Sequence, residues 1–65
     1  MNPLVIGTRL VALRGKRPQE LVAEAVGISV SALSMYEQGN RVPRDETKIK
    51  LAEYYGISVQ SLFFD

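Results

Sequence analysis

The sequence predicts an all-α domain of five short helices. Apolar residues recur at helical spacing, beginning with the stripe Ile6, Leu10 and Leu13. The periodic stretches end at Gly15, Gly27, the pair Gly39-Asn40 and Gly56, and glycine opposes continuation of a helix. No repeat, low-complexity segment or linker divides the 65 residues, so one domain spans 1–65.

The first helix is expected from about Leu4 to Arg14, slightly weakened by Gly7. Lys16-Arg17-Pro18 leads into a second helix at Gln19, where a proline near the first turn is tolerated. Val22, Ala23 and Val26 fall on one face of it and Glu20 and Glu24 on the other. Gly27 suits the left-handed conformation that ends a helix and turns the chain, Ile28 plugs the corner, and Ser29 caps the third helix. That helix runs roughly from Val30 to Gln38, with Leu33 and Tyr36 inward and Val30, Ser31, Ser34 and Met35 outward.

Arg41-Val42-Pro43-Arg44 reads as a turn. The fourth helix should begin near Asp45, as its cap, with Glu46 adding negative charge at the positive end of the helix dipole. Ile49, Ala52 and Tyr55, helped by Leu51, are expected to face inward until Gly56 stops the helix. Ser58 caps a last short helix, Val59 to about Phe64. Leu62 and Phe63 belong to the core, and Phe64, about 100° further round, does not share their direction.

Composition narrows the chemistry. A chain this short buries only about 60% of its unfolded surface and leaves no room for a large catalytic cleft. Cysteine and histidine are both absent, which excludes disulfides, a thiol nucleophile, histidine base catalysis and zinc held by those ligands. The carboxylates Glu20, Glu24, Asp45, Glu46 and Glu53 have helix-surface spacing, and no nucleophile stands with a base partner, so no enzymatic activity and no cofactor are expected. Hydrophobic residues make up 46% of the chain without any run near the ~20 that a membrane span requires, and no secretory pattern opens it. A cytoplasmic protein with no membrane partner and no evident small-molecule effector is the expectation.

The net charge of +1 and sequence pI of about 8.1 are a weak pointer to a polyanion. Distribution says more. Arg9, Arg14, Lys16 and Arg17 precede any acid, and Arg41, Arg44, Lys48 and Lys50 follow the third helix. A fold that brings residues 14 to 19 beside 38 to 44 creates a basic rim.

Two short amphipathic helices joined across Gly27, over about 19–38, have the layout of a helix-turn-helix. The joint spacing of Gln19, Ala23, Gly27-Ile28-Ser29, Leu33, Tyr36-Glu37, Gly39, Arg41, Pro43, Leu51-Ala52, Gly56-Ile57-Ser58 and Leu62 resembles the XRE family of Cro and phage-repressor type proteins. The resemblance runs from Ile6 to Phe63 and implies a compact five-helix lambda-repressor-like fold with helices two and three as the DNA-binding unit.

The resemblance also implies roles. Val30, Ser31, Ser34 and Met35 match positions that project into the major groove toward base edges. Gln19, at a helix N-terminus, matches a phosphate contact. Asn40 and Arg41 match the loop that grips the backbone, Arg44 lies close enough to join them, and Lys16 and Arg17 are further phosphate candidates. Arg14 and Glu37 match an ion pair between helices one and three. The chain departs from the family in a shorter loop between helices one and two, in Pro18 where a threonine or serine cap is usual, and in a reading face without Arg, Lys, Asn or Gln. With only valine, serine and methionine outward, specificity is expected to come largely from half-site spacing and DNA shape.

The expected function is a transcriptional regulator, a repressor, that binds a palindromic operator in double-stranded DNA as a homodimer, with Phe64, Val59 and Tyr54 at the subunit contact. The alternative is a protein-interaction module on the same fold, antitoxin-like or an accessory subunit, with Val30 and Met35 meeting a protein.

Overall fold

The computed structural model describes residues 1–65 and contains helices and no strand. Helix α1 spans Pro3–Arg14, α2 Gln19–Val26, α3 Val30–Glu37 and α4 Asp45–Tyr55, and a single π-helical turn, Gln60–Phe64, ends the chain. None of them is long and apolar enough to cross a membrane.

Helix α1 starts at Pro3, one residue before the expected Leu4, because Asn2 caps it. The Asn2 side chain accepts hydrogen bonds from the N–H groups of Leu4 at 3.0 Å and Val5 at 3.4 Å, and Pro3 follows at the first helical position. Ile6 and Leu10 enter the core, whereas Leu13 is half-buried at its edge.

Gly7 has a structural purpose that its low helix propensity hides. A Cβ built there would stand 2.9 Å from the Tyr36 carbonyl oxygen and 2.9 Å from the Glu37 carbonyl carbon. Helices α1 and α3 therefore meet backbone to backbone, and only a residue without a side chain fits between them.

Two expectations for α4 are corrected. Arg44, not Asp45, occupies the cap position and makes no side-chain cap bond; Asp45 is the first helical residue, and its carboxylate accepts from Lys48 Nζ at 3.4 Å. Ile49 does not face inward. The buried direction follows Lys48, Leu51 and Ala52, with Tyr55 half-buried beyond them, and Ile49 lies about 100° off that line with 51% of its surface exposed. Lys48 is tolerated at the core edge because its aliphatic stem is covered while its ammonium reaches Asp45 and lies 5.2 Å from the centre of the Phe64 ring.

The terminal segment is a π turn, closed by the Asp65 N–H donating to the Gln60 carbonyl at 3.0 Å; with Val59, also helical, it covers the expected last helix. Ser58 caps it as expected, its hydroxyl accepting from the Ser61 N–H at 3.0 Å. Leu62 and Phe63 are buried and Phe64 is exposed. Arg9 fastens this turn to α1 by donating to the carbonyl oxygens of Ser61, Leu62 and Asp65. The eleven-residue core thus draws on every element, from Ile6 in α1 to Phe63 in the last turn.

Candidate nucleic-acid interface

The α2–α3 corner is built from backbone chemistry. Gly27 adopts φ +82°, and the N–H groups of Gly27 and Ile28 both donate to the Ala23 carbonyl, at 2.9 and 3.0 Å. Ser29 then accepts from the Ala32 N–H at 3.0 Å and opens α3. Ala23 is only 2% exposed, consistent with a small residue where the helices cross.

Helix α3 turns Leu33, Tyr36 and Glu37 inward. Val30, Ser31 and Met35 lie on the opposite, solvent side; Ser34 is half-buried, its hydroxyl accepting from Gln38 Nε2 at 2.7 Å. The four expected reading residues are therefore displayed on one helix, three of them exposed.

Glu37 organises the back of this unit. Its carboxylate accepts from Arg14 Nε at 2.7 Å, from Arg14 Nη2 at 3.1 Å and from Gln19 Nε2 at 2.8 Å. The Glu37 side chain is only 4% exposed, so one buried charge ties together α1, α2 and α3. Hydrogen bonding to Glu37 holds the Arg14 guanidinium pKa above the usual arginine range. The expected ion pair is thus present, with Gln19 as an unanticipated third member. One N–H of the Gln19 amide is used by Glu37; the other remains available. Because Pro18 makes no side-chain cap bond, the backbone N–H groups of Gln19 and Glu20 find no acceptor within the chain.

The cations divide by what they already touch. Arg9 holds the terminal turn, Arg14 holds Glu37, and Lys48 and Lys50 pair with Asp45 and Glu46. Arg17 donates to the Arg14 and Leu13 carbonyls and lies over the rings of Tyr54 and Tyr55, at 5.4 and 5.2 Å from their centres. Lys16, Arg41 and Arg44 make no ion pair or hydrogen bond through their side chains and are exposed. Asn40 bonds to Gln38 at 3.2 Å. The loop it belongs to is seated on the start of α1, since a Cβ at Gly39 would lie 2.7 Å from Leu4 Cδ2 and 3.2 Å from the Pro3 carbonyl. Residues 14 and 19 meet residue 37, and residue 39 meets residues 3 and 4.

Tyr55 is the one buried polar side-chain atom without a partner: its hydroxyl makes no hydrogen bond. Burial, reinforced by the nearby Glu37 carboxylate, raises its pKa above the ordinary value of 10.0. Below pH ~10 the phenol is protonated both folded and unfolded. Above it the unfolded chain ionises first, so stability falls as pH rises toward the folded-state pKa. Tyr55→Phe should remove that component of the alkaline loss and, by deleting an unsatisfied hydroxyl, stabilise the domain by about 1 kcal/mol at neutral pH. Thermal unfolding of both proteins between pH 7 and 11 checks this; parallel curves would refute it.

Of the three expected subunit-contact residues, Val59 and Phe64 line one shallow depression together with Ile49, Asp45 and Lys48. Tyr54 lines a different groove with Ala25, Val26, Lys50 and Glu53. Ile49 is the residue sequence reading missed here; the signal was present in the spacing of Lys48, Leu51, Ala52 and Tyr55, which leaves Ile49 off the buried line.

A protein-family model described as helix-turn-helix matches residues 10–62 of the chain. The chain is similar to the transcriptional repressor RstR of the cryptic phage CTXphi in Vibrio cholerae, with 38% identity over 47 residues. That alignment covers 72% of this chain and 42% of the relative's length, so the chain spans less than half of the repressor it matches. No solved structure matches the chain.

Proposed function

We propose that this chain, which belongs to the helix-turn-helix family, is a transcriptional repressor that occupies operator DNA in the cytoplasm through α3. The observation that carries this reading is one arrangement: an exposed helix bearing Val30, Ser31 and Met35, with the uncommitted cations Lys16, Arg41 and Arg44 elsewhere on the surface. Helix α3 fits the ~12 Å width of the major groove. Two free N–H groups and the second amide hydrogen of Gln19, at the start of α2, suit a phosphate oxygen. Arg41, Arg44, Asn40 and Lys16 supply further phosphate contacts, whereas Arg17 serves mainly to join α1 to the tyrosines. Val30 and Met35 meet thymine methyl groups, and Ser31 and Ser34 bond to base edges.

The repressor acts as a homodimer through Phe64 and Val59, joined by Ile49, which places two recognition helices one DNA turn apart, ~34 Å, on a palindromic site. Phe64→Ala should reduce the dimer by at least tenfold in association constant, about 1.4 kcal/mol. An unchanged sedimentation profile would remove Phe64 from the contact.

Duplex titrations at several salt concentrations test the DNA reading. Affinity should fall steeply with salt, and Arg41→Ala or Arg44→Ala should weaken binding to every sequence alike and lower the salt slope by about 1. Ser31 and Met35 substitutions should instead change which sequence is preferred. If no duplex binds above background at low salt, the exposed apolar pair Val30 and Met35 is a protein-binding face instead.

A further inference from the structure

Three side chains at the end of α3 are joined in one hydrogen-bonded row. Asn40 Nδ2 donates to Gln38 Oε1 at 3.2 Å, and Gln38 Nε2 donates to the Ser34 hydroxyl at 2.7 Å. Gln38 follows α3 in right-handed helical conformation, one turn beyond Ser34 and two beyond Ser31. This exposed amide therefore extends the stripe of reading residues, which holds no other amide or charged group.

Both bonds run in the same direction, and each fixes the next. An amide oxygen only accepts and its NH2 only donates. With its oxygen held by Asn40, Gln38 turns its NH2 toward Ser34. Asn40 is itself seated against α3, because its backbone N–H donates to the Met35 carbonyl at 3.0 Å. Its amide has a second hydrogen, and a DNA phosphate, which only accepts, holds the amide in this sense. At the other end, the Ser34 oxygen receives the Gln38 hydrogen while the hydroxyl proton has no acceptor in the chain. Thr8 shows the usual alternative, a hydroxyl spent on the carbonyl four residues earlier.

We propose that Gln38 is a positioning residue for base recognition: it makes the Ser34 hydroxyl a directed donor, so that Ser34 selects a base with a major-groove acceptor and rejects cytosine. The proposal rests on the reading of α3 as the helix in the groove. Guanine offers N7 and O6, adenine N7 and thymine O4, whereas the cytosine edge presents the N4 amino donor. A serine free to rotate would donate or accept and would separate these bases poorly. The row also links a phosphate contact at Asn40 to the polarity of a base contact at Ser34, since successive bonds polarise one another.

Competition titrations with randomised duplexes give the base preference of the chain at each position of its site. Ser34→Ala identifies the position that Ser34 reads by flattening the preference there. At that position the parent protein should bind cytosine about 3- to 10-fold less tightly than the best of the other bases. Gln38→Glu should reverse the order. A carboxylate only accepts, so the Ser34 hydroxyl donates to it and turns its lone pairs to the base, which suits the cytosine amino group. The added charge weakens every sequence alike and leaves the other positions unchanged. Gln38→Ala, which offers Ser34 no partner, should flatten the order at this one position. An order that Gln38→Glu leaves as it was, or a Ser34→Ala profile identical to the parent's, overturns the proposal while DNA binding by α3 stands. A parent protein that binds no duplex at low salt overturns the DNA reading itself, and the proposal with it.

Discussion

Gly7→Ala should be the most damaging single-methyl change in this domain. Two effects oppose each other. Helix propensity favours alanine by about 1 kcal/mol. Packing opposes it, since the new Cβ would be forced against the Tyr36 and Glu37 carbonyl groups, and these are backbone atoms that cannot rotate away. Overpacking of a tight core costs about 1–3 kcal/mol even where side chains adjust; backbone atoms put this site at the top of that range, so after the propensity gain a net loss of about 2 kcal/mol is expected. A 65-residue domain holds roughly 3–10 kcal/mol in total, and the melting temperature should drop by about 10–20 °C. A Gly7→Ala protein as stable as the parent would disprove the backbone-to-backbone crossing of α1 and α3.

Glu37→Ala should cost about as much by a different route. It removes the acceptor of both Arg14 and Gln19 and leaves the guanidinium, whose side chain is 19% exposed, beside an uncompensated gap. Breaking a buried pair from one side costs about 3–5 kcal/mol; partial access of Arg14 to water places the expected loss near 3 kcal/mol. The double change Arg14→Leu with Glu37→Leu should be milder than Glu37→Ala alone, because no charge is then stranded. The remaining loss reflects the Arg14 bond to the Arg17 carbonyl, at 2.8 Å, which braces the α1–α2 loop. Chemical denaturation of the single and double variants measures this; additive losses would mean that Arg14 and Glu37 are not coupled. Glu37→Ala should also loosen the orientation of Gln19, so its effect on DNA affinity should exceed what its distance from α3's outer face suggests.

Most of the fold was readable because its determinants are local. Glycine at 27 and serine at 29 define the corner by their own backbone and hydroxyl chemistry, and the inward pair Leu33 and Tyr36 follows from helical period. The terminal pair Phe63 and Phe64 was separable for the same reason, since neighbours on a helical turn cannot share one direction. Ile49 is expected inward by its apolar character, but it lies off the buried line of α4. The structure buries the Lys48 stem instead, a choice possible only because Asp45 and the Phe64 ring stand within reach of the ammonium.

The candidate site was legible in residue type and incompletely in geometry. Lys16, Arg41 and Arg44 and the outward face of α3 follow from their positions in the chain. That Arg17 is drawn to Tyr54 and Tyr55, and that Gln19 shares Glu37 with Arg14, depends on residues between eighteen and thirty-eight positions apart.

The sequence by itself determined the five-element helical architecture, the helix-turn-helix and the identity of its exposed residues, since periodicity, caps and glycine turns act within a few residues. Tertiary structure alone decided which cations stay free and why position 7 must be glycine. Those outcomes are set by what distant segments bring to each side chain, and no local spacing encodes that.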